Sequence, residues 1–270
     1  MSSEIRERWA RWLDAIYDDV LTLRLYQANW VEMREVLEAN PSIPQPNHVA
    51  DWIYDLYGIV MAVGVRRQGD RGEDVATLGR LIDDVARHPE AMPRGFFVGR
   101  YPDFLREHGT ADADFDGFAQ PGAACIDPDI IRRDLADLGN AVAVVKPFVN
   151  QHLAHLGENR EGVTATYEDV ELALLALDRL LRRYYLLVDG GGLVSTIPAK
   201  QYDFTRPLIV PWAPNDRLLR LLREKGRVRT DDAESRVRDL LRGHADSISV
   251  ELAEGLLAKI DELRAELAGV

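Results

Sequence analysis

Apolar residues step by three or four through the first forty positions: Ile5, Trp9, Leu13, Ile16, Val20, Leu23, Tyr26, Trp30, Met33 and Leu37. That period puts them on one face of an α-helix from about Ser3 to Ala39, on the order of 50 Å long. A helix of this length buries such a face most simply against other helices, so the opening residues point to an all-α architecture. Asn40-Pro41, Pro44 and Pro46 end the helix, and Asn47 is placed to cap a second one. Its expected core stripe is Val49, Trp52, Ile53, Leu56, Val60 and Val63. A third helix carries Val75, Leu78, Leu81, Ile82 and Val85 and stops before Pro89. From Pro93 to Pro128 the pattern is mixed, with a short helix near Phe104 and an acidic, glycine-containing loop over Asp112 to Gly122.

Two further helices follow. The first spans about Pro128 to Leu156 with the stripe Ile131, Leu135, Leu138, Val142, Val145, Val149, His152 and Leu156. Pro147 should kink it, because proline has no N–H and its ring clashes with the preceding turn. The second begins at Thr166, spaced from Asp169 as a capping residue from its third-position acid. It buries Val170, Leu174, Leu177, Leu181, Tyr184 and Val188, and Arg179, Arg182 and Arg183 form a basic edge opposite, read most simply as a solvated face. Gly190-Gly191-Gly192 closes this helix. A phosphate loop should instead follow a strand and open a helix, so these glycines read as a cap and linker. Beyond them, Leu193–Ile197 and Pro207–Trp212 are expected to pair as a short β-hairpin, followed by two short helices. A last helix has Ala253, Leu256, Leu257, Ile260, Leu263 and Leu267 on one face. The reading is thus an up-down helical bundle over residues 1–189 with an extension over 190–270 that is helical apart from the hairpin.

Composition narrows the function classes. A net charge of −12 and a pI near 5.0 argue against a broad basic face for duplex DNA. The lone Cys125 cannot make an internal disulfide, and no window approaches the roughly 18 apolar residues of a membrane span. With no apolar signal core near Glu4, Arg6, Glu7 and Arg8, a cytoplasmic protein without a membrane partner is expected. The tryptophans Trp9, Trp12, Trp30 and Trp52 lie on helical stripes and read as core.

The chemistry gathers in Phe148-Val149-Asn150-Gln151-His152-Leu153-Ala154-His155, followed by a short loop and Thr166-Tyr167-Glu168-Asp169. This helix-loop-helix resembles the HEPN superfamily, and within it the abortive-infection U-type branch, over roughly residues 1–190. The resemblance implies an all-α bundle, often dimeric, and many such proteins are metal-independent ribonucleases of toxin–antitoxin and phage-defence systems. It therefore implies RNA as a substrate, a homodimer, an antitoxin or other protein partner, and no cofactor. The family motif is an arginine, a polar residue, a few residues, then a histidine. His155 falls on the histidine and Asn150 on the polar position, while Val149 stands where the arginine belongs. Reading to His152 instead puts Lys146 in the arginine position and Pro147 in the polar one.

Attack of a ribose 2′-hydroxyl on its phosphate needs proton transfer and stabilisation of negative charge. An imidazole titrates near neutrality, so His155 is the candidate for the first. Asn150 lies about 140° around the helix from it and would orient substrate from the side. The missing arginine would cost about 10²- to 10³-fold in rate unless Lys146, Arg182 or Arg183 substitutes for it as a substrate-binding cation. His152, on the core stripe, reads as an interior histidine or a substrate contact. His152 and His155 have no carboxylate at ligand spacing, so no metal site is expected. The alternative reading is a non-catalytic binding or regulatory protein that keeps the scaffold without the arginine.

Overall fold

In the computed structural model of the chain, residues 2–39, 48–154 and 162–197 are described, with helical pieces at 220, 224–227, 231–232, 234–235, 257–262 and 264–265. The chain divides into two units, Met1–Tyr202 and Asp203–Val270. The described residues form helices and turns with no strand among them, so the protein is all-α. None of the described helices is long and apolar enough to cross a membrane.

The first unit begins with α1 (Ser2–Ala39), whose face of Ile5, Trp9, Leu13, Ile16, Val20, Leu23 and Trp30 is buried as the period predicts, whereas Tyr26 of the same stripe is exposed and Met33 and Leu37 are half-buried. Then come α2 (His48–Gln68), α3 (Leu78–Arg87) and three short helices, α4 (Arg94–Val98), α5 (Asp103–Glu107) and α6 (Thr110–Asp116). The chain continues through α7 (Pro128–Val142), α8 (Val145–Phe148), a wide π-helical turn at Val149–Ala154, and α9 (Tyr167–Asp189). Helix α9 is the hub, packing on α1, α2 and α7, while α3 packs on α7 and α1. Its buried face runs Val170, Ala173, Leu174, Leu177, Leu181, Tyr184 and Leu187.

The helix ends are well specified. Thr166 and Asp169 make the predicted reciprocal capping box. The Thr166 backbone N–H and hydroxyl hold the Asp169 carboxyl below its ordinary range. Gly190 closes α9 in the left-handed conformation at φ +84°. Arg100 then donates to the last carbonyls, Leu187 at 2.7 Å and Val188 at 2.6 Å. Thr77 caps α3, and its hydroxyl donates to Asp70 O at 2.5 Å. This draws the α2–α3 connection onto the first turn of α3, where Gly79 is buried. A Cβ there would sit 2.9 Å from Asp70 O and 3.0 Å from Gly69 O, both rigid backbone atoms. Gly79→Ala should therefore lower stability by about 1–3 kcal/mol, despite the roughly 1 kcal/mol alanine gains in a free helix. A denaturant titration beside the wild type checks this.

Asp84 ties α1 to α3, accepting from Trp9 Nε1 at 2.7 Å and from Arg8. Burial pushes its carboxyl up, but the hydrogen bonds from Arg8 and Trp9 outweigh it and leave the group below the ordinary carboxylate range. The stabilisation is then complete above the unfolded carboxylate pKa of about 3.9 and disappears as pH falls through the lower folded value. Urea midpoints should drop on acidification below about pH 4, and Asp84→Asn should flatten that part of the profile while lowering stability at neutral pH.

Three sequence expectations are corrected. The stretch expected as an acidic loop over Asp112 to Gly122 begins inside α6. Its acids have structural jobs there: Asp112 and Asp116 take Arg94 at 2.9 and 2.5 Å, and Asp114 takes the Tyr101 hydroxyl at 2.8 Å. The first half of the expected hairpin, Leu193–Ile197, is not a strand. Beyond Gly190 the chain returns along α9, and the buried Thr196 hydroxyl donates to the Asp178 carboxylate. The second half, Pro207–Trp212, lies outside the described residues, as do Asn47 and most of the expected helices after Pro214. Finally, Trp52, Leu56, Val60 and Val63 of the stripe expected to be the core face of α2 point outward, and Ile53 is half-buried. Trp52 is 61% exposed, with Leu56, Val60 and Val63 beside it, while Met61, Ala62 and Val65 face the bundle.

Candidate functional site

The expected site grows from Pro147. With no N–H, it cannot donate to the carbonyl of Ala143, and the helix is interrupted just before it, between Val142 and Val145. The chain resumes as α8 and then widens into the π-helical turn at Val149–Ala154, a local geometry that re-registers the side chains after it. The single kinked helix expected to Leu156 is therefore three pieces. Val149 is buried at 2% exposure, whereas Asn150, Gln151 and His152 are half-buried. The His152 ring stacks on Phe148, with centroids 5.2 Å apart and planes 25° from parallel. Its Nε2 and Gln151 Oε1 are buried with no hydrogen-bond partner among the described residues. His155 lies outside the described residues.

This segment separates two grooves. One has a cavity of about 540 Å³ lined by Asp55, Gly58, Ile59, Phe148, Leu153, Thr166 and Tyr167. Its Tyr167 wall belongs to an aromatic cluster in which Trp30 stacks on Tyr57 at 4.6 Å and meets Tyr54 edge-on at 4.5 Å. The Tyr167 hydroxyl donates to Tyr54 O at 2.9 Å. Burial, reinforced by Glu171, raises the Tyr57 phenol, and burial with Asp55 raises that of Tyr167. Both phenols stay protonated at neutral pH and supply no base. This groove is apolar and aromatic.

The other groove, about 470 Å³, takes Lys146 with Arg71, Arg132, Asp70 and Asn140 over a floor that includes Leu138 and Val142. Asp70 is held by Arg66 at 2.7 Å, and Arg132 by Asp129 at 2.6 Å. Lys146 is exposed here, on the opposite side of the segment from Phe148 and Leu153. The sequence reading missed Arg71 and Arg132. An arginine in the turn after Gly69, and another in the second turn of α7, gave no spacing signal toward Lys146.

The α9 arginines stand elsewhere. Arg182 pairs with Asp178 at 2.9 Å, and Arg179 with Asp137 at 3.3 Å. Arg183 donates from Nε to Asp134 at 2.7 Å and from Nη2 to Gly117 O at 2.6 Å, with its guanidinium 4.2 Å from the Phe118 ring centre. Arg182 and Arg183 also lie about 22–24 Å along the α9 axis from Tyr167, the end that shares a cavity with Leu153. Arg179 and Arg183 brace α9 against α7 and Gly117, whereas Arg182 pairs within α9 itself. The structure thus leaves Asn150 and His152 half-buried in the wide turn, sets Lys146 on the groove beside Arg71 and Arg132, and holds Arg182 and Arg183 in ion pairs further along α9. Among the described residues, no group of three or more His, Cys, Asp or Glu side chains is placed to hold a metal.

No protein-family model matches this chain, and comparison with curated proteins and with solved structures finds no match.

Proposed function

We propose that this chain is a non-catalytic helical binding or regulatory protein built on an HEPN-like scaffold. One observation carries the reading: the residue in the motif-arginine position, Val149, is packed into the core. A clamp for a phosphate must project into solvent and present a planar pair of donors. No side chain at Val149 can do that without burying a charge. The arginines that could stand in, Arg182 and Arg183, are already engaged by Asp178 and Asp134. The exposed apolar stripe on α2, Trp52 to Val63, is suited to a macromolecular contact rather than to a polyanion. In metal-free buffer with EDTA, wild-type protein should leave RNA intact, as should His155→Ala. Degradation by the wild type alone would overturn the reading.

The Lys146 groove favours a second reading, a defence- or toxin-type protein acting on RNA as a metal-independent endoribonuclease, with His155 and Asn150 at the reaction centre. A homodimer and an antitoxin-like partner go with it. Three cations from different elements, Arg71, Arg132 and Lys146, line that groove on an otherwise acidic chain. If single-stranded RNA lies there, Lys146→Glu and Arg71→Glu should each weaken binding and reduce the salt dependence by about 0.7 in log–log slope. Fluorescence anisotropy at several salt concentrations measures this, and unchanged slopes would remove the groove as an RNA site.

A further inference from the structure

Helix α2 carries apolar side chains on both faces, and a surface helix has only one face to give the bundle. The inner face, with Met61, Ala62 and Val65, is buried where α2 packs on α1 and α9. Gly64 lets the two backbones approach, since any Cβ there would strike Leu23. The outer face is Trp52, Leu56, Ile59, Val60 and Val63, all exposed. At 100° per residue these positions share an arc of about 100°. A continuous solvated stripe of large apolar side chains marks an interface.

The charges bounding the stripe identify the occupant. Asp51 and Asp55 lie at its N-terminal end, and Arg66 and Arg67 occupy the last turn. We infer that this face pairs with the same face of a second copy of the chain, antiparallel about a two-fold axis crossing α2 between Ile59 and Val60. Ile59 then meets Val60 of the second copy, Leu56 meets Val63, and Trp52 meets Arg67. The apolar residues have apolar counterparts, and the indole receives a guanidinium on its face. Asp55 falls within about one helical turn of Arg66 and Arg67 of the second copy, and the two helix dipoles oppose. Arg67 already holds Asp19 of its own chain, which fixes its stem while leaving the side chain half exposed. A parallel pairing would instead stack Arg67 on Arg67 and align the dipoles. The charges at the two ends of the stripe complement each other in the antiparallel orientation, and the resulting two-fold contact is closed. This inference does not rest on the non-catalytic reading: RNA cleavage or its absence leaves it untouched.

Light scattering on the full chain at tens of micromolar tests it. The wild type should have twice the 30.4 kDa chain mass, and Leu56→Glu should run as a single chain with an unchanged far-ultraviolet circular dichroism spectrum. In a Cys125→Ser background, Ile59→Cys should cross-link to itself under mild oxidation. Trp52→Cys should not, because the two Trp52 positions lie about 22 Å apart along the paired helices. Cross-linking decides the matter should Leu56→Glu fail to fold. A monomeric wild type, a Leu56→Glu variant that still dimerises, or Trp52→Cys cross-linking as readily as Ile59→Cys would each overturn the pairing.

Discussion

Val149→Arg, the substitution that would complete the HEPN-like motif, is expected to unfold the bundle rather than create a nuclease. Val149 sits in the same core as Val145, Val142 and the buried face of α9. An arginine there would place its charge in that core, and burying an unpaired charge costs several kcal/mol, about 4 or more in a packed site. Val149→Leu, which alters only shape, should cost less than about 1.5 kcal/mol. Circular dichroism melts of both variants make the comparison. A folded Val149→Arg protein that cleaves RNA would mean that this position reaches solvent and that the missing arginine is a simple loss.

Trp9→Ala should be the most destabilising truncation in the first helix. The indole is fully buried, and its Nε1–H holds Asp84 at 2.7 Å. Removing it opens a cavity between α1 and α3 and takes one of two strong donors from a carboxylate that burial already disfavours. Aromatic-to-alanine changes in such sites cost about 3–5 kcal/mol. Trp9→Phe keeps most of the volume but not the donor, and should cost about 1–2 kcal/mol. Urea midpoints separate the two contributions. If both variants lose the same amount, the hydrogen bond to Asp84 rather than the packing holds this corner.

Much of the fold was legible because the signals were local. The period of α1 needs only the spacing of its apolar residues, and the cap of α9 needs only Thr166 and Asp169. The errors came where a distant contact decides. On α2, periodicity sees two apolar faces and favours the bulkier one, Trp52 to Val63. Yet the bundle accepts the smaller one, because Ala62 and Gly64 let α1 come close. The acids of α6 look like loop residues until Arg94 and Tyr101, earlier in the chain, are seen to use them. The segment after Gly190 has strand-like composition, but Thr196 is drawn to the buried Asp178. At the candidate site, Pro147 announced a break in the helix without revealing the wide turn that follows. Nor could spacing show that Arg182 and Arg183 belong to Asp178 and Asp134. Trp52, read as core, is instead the largest exposed side chain of the α2 stripe.

Single-turnover cleavage tests the absence of a catalytic phosphate clamp most directly. Protein in large excess over a short fluorogenic RNA, in EDTA, reveals even slow chemistry free of product release. Wild type, His155→Ala and Asn150→Ala should all match the buffer rate. A wild-type rate above buffer that His155→Ala abolishes would contradict the non-catalytic reading and make Lys146 the first cation to replace.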